Sequence, residues 1–121
     1  MKPYERLDAW HAAHELVLLT YSLTRSFPRE ELYGLTSQAR RAAFSVAANI
    51  AEGSAKRGPR EFRRYLDIAV GSLSELAYVF RLARDLGYIE EHKWTDLDTS
   101  RDRVGQLTWG LYRSIRRFAV K

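Results

Sequence analysis

Two histidines, His11 and His14, stand three residues apart with Asp8 and Glu15 beside them. Helical bundles hold metals with such side chains, using a Glu-x-x-His motif on each of two helices and two further glutamates. Only Asp8-x-x-His11 approximates that motif, and no second copy exists. No metal site is therefore expected. Serine, threonine and histidine are too scattered to pair a nucleophile with a base. The stretch "GSAKRG" lacks the preceding strand and the spacing of a phosphate-binding loop. Cysteine is absent, which excludes thiol chemistry, disulfides and zinc thiolates. Neither an enzyme nor a cofactor is expected.

The remaining chemistry is electrostatic. The chain has 20 basic and 15 acidic side chains, a net charge of +5. Sixteen of the basic residues are arginine, whose planar fork binds phosphate and carboxylate bidentately. Lys56, Arg57, Arg60, Arg63 and Arg64 form one run, and Arg113, Arg116 and Arg117 another. Just before the first run lies "SVAANIAEGSAKRG", Ser45 to Gly58. Glu52 falls there in the last turn of a helix, the unfavourable end of the macrodipole for an anion. Three structural roles are open to it. It can accept from free amides at the start of the next helix, pair with Arg63 or Arg64, or accept from the Trp10 indole.

The elements that must position these residues are helices. Apolar side chains recur at spacings of three and four almost throughout. Helices are predicted over about 5–26, 36–54, 59–86 and 95–119, all in one domain spanning 1–121. The inner line of the first is Leu7, Trp10, Val17 and Tyr21, with Ala13, Leu16 and Leu23 beside it. In the second it is Ala39, Ala42, Ala43, Val46, Ala47 and Ile50, capped by Thr36 or Ser37 and closed by Gly53. Phe62, Leu66, Ala69, Leu73, Leu76, Phe80 and Ala83 form a heptad seam in the third. Pro59 opens that helix and Gly87 ends it. The fourth opens near Thr95 to Asp98 and runs through Leu97, Val104, Leu107, Leu111, Ile115 and Phe118. Gly105 and Gly110 would let a neighbouring backbone approach it. Four helices with short connections imply an all-α up-down-up-down bundle.

That topology sorts the charges. One end collects eleven basic residues against Glu5, Asp8, Glu52 and Glu61, a local excess of +7. Arg60, Arg63 and Arg64 open a helix, where the dipole disfavours cations, so helix statistics do not account for them. A focused basic surface draws polyanions, and Tyr4, Tyr65 and Tyr112 nearby could stack on bases. RNA or DNA is the expected partner, held by Lys56, Arg57, Arg60, Arg63, Arg64, Arg113, Arg116 and Arg117. The competing expectation is a protein-interaction scaffold anchored on arginine and on Trp94, Trp109 or Tyr112. A polar network of Arg40, Arg41, Asn49, Glu52 and Glu75 is expected between helices. Facing residues of the second and third helices have numbers summing to about 115 in an antiparallel hairpin. This sets Arg40 and Arg41 level with Glu75, in a partly buried pair. The longest apolar run, "LVLL", cannot span a bilayer, so no membrane partner and a cytoplasmic location are expected.

The runs "YGLTSQARRAAFSVAANIAEGSAKRG" and "EFRRYLDIAVGSLSEL", with the earlier "LDAW…A…L…Y…FP", carry a resemblance. They resemble the four-helix-bundle proteins encoded within intervening sequences of bacterial 23S ribosomal RNA genes, also labelled S23 ribosomal protein. The resemblance covers about residues 7 to 90. Alanines stand here where such proteins often carry proline or serine before the asparagine of the NIAEG motif. The resemblance implies a left-handed bundle assembling as a homopentamer, with no catalytic residues to carry over. More distantly, the chain is similar to the accessory variability proteins of diversity-generating retroelements, which are basic pentameric bundles that bind nucleic acid and a reverse transcriptase. Five such chains would carry +25 in one ring.

Overall fold

Alanine on one helix face lets a second backbone come close, and the chain uses this where its two central helices meet. A computed structural model describes the backbone of residues 1–119 and the side chains of residues 1–115. Its helices are α1 (Asp8–Thr24), α2 (Leu35–Ser54), α3 (Pro59–Asp85) and α4 (Glu91–Ala119). Short 3-10 turns, Pro3–Arg6 and Arg29–Glu31, precede α1 and α2. Among the described residues there is no strand, and no helix is long and apolar enough to cross a membrane. Each helix packs on its neighbours in sequence, and α1 closes the ring on α4. This is a four-helix bundle.

The predicted inner line of α2 is buried at every position, from Ala39 to Ile50. In α3, Leu66, Ala69, Leu73, Leu76, Phe80 and Ala83 are buried, and Phe62 packs at the edge of the core. Leu97 and Val104 carry α4 into the same core.

The inner face of α1 differs from the periodic reading. Tyr21 turns outward, and Thr20 and Thr24 take the buried positions. Their hydroxyls donate to carbonyls one turn back, Thr20 to Leu16 and Thr24 to Thr20, each at 2.7 Å. A threonine so satisfied packs like valine, and apolar counting does not see it.

Helix starts differ too. Neither Thr36 nor Ser37 caps α2. The Glu31 carboxylate does so, accepting from the Leu35 amide at 3.1 Å, while Thr36 is buried one residue into the helix. The other Glu31 oxygen accepts from the Tyr88 hydroxyl at 3.2 Å. Burial and that carboxylate raise the Tyr88 pKa, so the donor keeps its proton. α4 begins at Glu91, ahead of Thr95, whose hydroxyl donates to the Glu91 carbonyl inside the helix.

Gly53 does not end α2; it lies buried within it. A Cβ there would sit 2.8 Å from Tyr65 Cβ and 3.0 Å from Phe62 Cδ1. Close approach therefore occurs here, at the α2–α3 crossing. It does not occur at Gly105, which meets only a Leu73 methyl at 3.5 Å, nor at Gly110, which has nothing within 4 Å. Opposite signs are expected for two identical substitutions. Gly53→Ala lowers stability by about 1–2 kcal/mol, because overpacking exceeds the helix-propensity gain. Gly110→Ala raises it by up to about 1 kcal/mol. Urea unfolding followed by circular dichroism reads both.

Candidate nucleic-acid interface

The α2–α3 turn makes the corner that carries the cations. α2 ends at Ser54, and Gly58 takes φ of 83°, a left-handed conformation that glycine adopts without strain. Pro59 then starts α3 with its ring-fixed φ. Lys56, Arg57 and Arg60 project from this turn and are exposed. The Gly53 contact holds Tyr65 against α2, and cations gather on its ring. Arg64 Cζ lies 4.7 Å from the ring centroid and Lys56 Nζ 5.4 Å.

Arg63 points toward α4, half-buried. Its Nε is shut off from solvent and has no hydrogen-bond partner among the described residues. An unmatched donor of this kind costs about 1–3 kcal/mol. Arg60, Arg63 and Arg64 line a cleft of about 610 Å³ with Tyr112 of α4. Glu61 and Asp67 line it as well, so the cleft is less positive than the helix-end tally suggests. Glu61 accepts from Arg64 at 3.3 Å, and the bond raises the Arg64 pKa, keeping it charged. Arg113 is exposed beside Trp109 in the neighbouring α3–α4 groove. The side chains of Arg116 and Arg117 lie outside the described residues.

The expected polar network is rearranged. The Glu52 side chain is exposed and makes no hydrogen bond or ion pair among the described residues, so none of its three predicted roles is realised. Arg64 bonds Glu61, one turn away on its own helix, at lower entropic cost than a cross-helix pair. Asn49 bonds within α2, donating to the Ser45 carbonyl at 2.8 Å and to Ser45 Oγ at 3.1 Å. Ser45 Oγ in turn meets Ser72 Oγ at 2.7 Å, which ties α2 to α3. This serine pair had no periodic signal in the sequence.

Arg41 does meet Glu75 at 2.9 Å, but the side chains are 60% and 43% exposed. The pair is a surface bridge, not the partly buried one predicted from register. Arg41→Gln is expected to cost less than about 1 kcal/mol in thermal unfolding. Arg40 takes no part in that bridge and bonds Thr24 of α1. The histidines of α1 are structural: His14 stacks on Trp10 at 5.0 Å, and His11 Nε2 meets the Glu5 carbonyl at 2.7 Å. Among the described residues no three ligand-type side chains gather to hold a metal.

The 23S rRNA-intervening sequence protein family matches residues 5–110, which run from the first 3-10 turn into α4 and include the corner. The chain belongs to this family. A crystal structure of a protein with unknown function, from the S23 ribosomal protein family of Bacteroides thetaiotaomicron, superposes with a TM-score of 0.77. The two chains are 18% identical, and the match covers 86% of this chain and 97% of that one. At that identity the likeness shows the shared bundle. No curated protein matches the chain significantly. Within the 23S rRNA-intervening sequence protein family, the α2–α3 corner of this member carries five cations in nine residues, Lys56 to Arg64.

Proposed function

We propose that the protein is a non-enzymatic bundle that binds structured nucleic acid through its basic corner, RNA in preference to DNA. The observation that carries this reading is the cluster of exposed Lys56, Arg57, Arg60 and Arg64 at the α2–α3 corner, with Lys56 and Arg64 on the Tyr65 ring. Arg63 lines the adjoining cleft and Arg113 the neighbouring α3–α4 groove, and the reading includes Arg116 and Arg117 from their place in the sequence. Such a surface contacts phosphates and positions the partner, without reading bases. The family's description names 23S rRNA, which favours RNA. In this reading the bundle is left-handed, acts in the cytoplasm and assembles into a ring of five. The ring repeats the corner five times and turns weak single contacts into avid ones.

The test is fluorescence anisotropy of a labelled ribosomal RNA fragment at low and high salt, with light scattering to count subunits. Binding at low salt that collapses at high salt supports the reading. No binding at low salt rejects it. A scaffold reading would instead show a protein partner retained after nuclease treatment.

A further inference from the structure

A second cationic surface lies at the opposite end, where α1 leads into α2. Four of the ten exposed large apolar side chains among the described residues, Tyr21, Leu32, Tyr33 and Phe44, line one cleft there of about 530 Å³. Arg40 and Arg41 line it with them. An adjoining cleft of about 250 Å³ shares Leu32 and Arg40 and adds Arg25 and Arg29. No acidic side chain lines either cleft. Glu31, on the connecting turn, has both oxygens engaged by Leu35 and Tyr88.

Arg40 is the shared element. Its Nε donates to Thr24 Oγ1 at 2.9 Å, and its guanidinium lies 4.8 Å from the Tyr21 ring centroid. Among the described residues no carboxylate pairs with it, because Glu75 binds Arg41. The result is a half-buried cation, fixed in place and uncompensated. Beside it Tyr33 is 92% exposed and Phe44 62% exposed. Fixed cations alternating with open rings fit a partner that alternates phosphates with planar bases. A duplex keeps its base faces inside its own stack, so only an unpaired strand can use these rings.

We infer that this α1–α2 surface binds single-stranded nucleic acid, with bases on Tyr33 and Phe44 and a phosphate on Arg40. The inference rests on the nucleic-acid reading above and adds a second site with a different form of substrate.

The test is anisotropy of labelled oligouridine of about ten nucleotides, run beside a labelled RNA duplex, on the full chain. The double variant Tyr33→Ala/Phe44→Ala is expected to lose roughly 10–100-fold in oligouridine affinity. Its duplex affinity, melting temperature and particle mass stay unchanged. Arg40→Gln reduces the oligouridine salt slope by about 0.7. Unchanged oligouridine affinity in the double variant overturns the inference. So does a change in its particle mass, which would make this face a contact between copies. Equal dependence of polyglutamate binding on Tyr33 and Phe44 overturns it in favour of an acidic protein partner. Loss of duplex binding in Arg60→Ala/Arg63→Ala/Arg64→Ala with oligouridine binding retained supports two separate sites. If the unaltered protein binds oligouridine but no duplex, the basic-corner reading fails and this one stands.

Discussion

Replacing Arg60, Arg63 and Arg64 together with alanine is expected to lower affinity for a structured RNA by at least about 10³-fold. Each charge-assisted contact to phosphate is worth about 1.5 kcal/mol or more, and three are removed. The slope of log affinity against log salt should flatten by about 2–3, since each neutralised duplex phosphate contributes close to one. Stability should move the other way. Cations in the first turns of α3 oppose the helix dipole, and alanine is the better helix former. Removing Arg63 also removes a shut-off donor with no partner among the described residues. Binding lost while the melting temperature holds or rises is the signature of residues kept for a partner. Anisotropy and thermal circular dichroism on the same variant read both halves.

Phe80→Ala is expected to cost about 3–5 kcal/mol and to lower the melting temperature by about 10–25 °C. Phe80 is 2% exposed toward the C-terminal end of the heptad seam, packed in the common core of the four helices. Truncation forfeits its transfer energy and leaves a cavity that α2 fills poorly, because its buried face there is built of Ala39, Ala42 and Ala43. Phe44→Ala, on the exposed α1–α2 face, removes the same atoms and should cost less than about 0.5 kcal/mol. The contrast separates the ring that builds the bundle from the ring that faces outward. Unfolding by heat or urea measures it.

Much of the bundle is legible in the sequence because the heptad seam of α3 and the alanine line of α2 are strictly periodic. Leu66 to Ala83 and Ala39 to Ile50 face the core as that spacing requires. α1 is less legible because Thr20 and Thr24 hide their hydroxyls in the helix's own carbonyls. Counting apolar residues then rotates the inner face toward Tyr21. Caps were misplaced for a related reason. Glu31 reaches back from a 3-10 turn to cap α2, and a long side chain acting across four residues leaves no short motif. Gly53 reads as a helix stop by type, whereas its role is set by Tyr65 and Phe62 on another helix.

The candidate site was half visible. Composition and topology place Lys56 to Arg64 together at one end, and across the turn at Gly58 Lys56 and Arg64 meet on the Tyr65 ring. Register alone cannot choose between competing partners of equal reach. It left Arg64 to Glu52, and the one-turn bond to Glu61 prevails. It set both Arg40 and Arg41 level with Glu75, and only Arg41 takes that carboxylate. The unpaired Arg40 and its aromatic neighbours were therefore missed. The signal that could have found them is Tyr33 just before α2 followed by Arg40, Arg41 and Phe44 within it, aromatic and basic residues in one stretch.

The most direct test of the basic corner is photocrosslinking of a structured ribosomal RNA fragment to the intact protein, with adducts located by mass spectrometry. Adducts are expected on the peptide from Lys56 to Tyr65 and at Tyr112, reduced by added salt. Adducts confined to other surfaces, or a pattern at Lys56 to Tyr65 that salt does not reduce, would contradict the basic-corner reading.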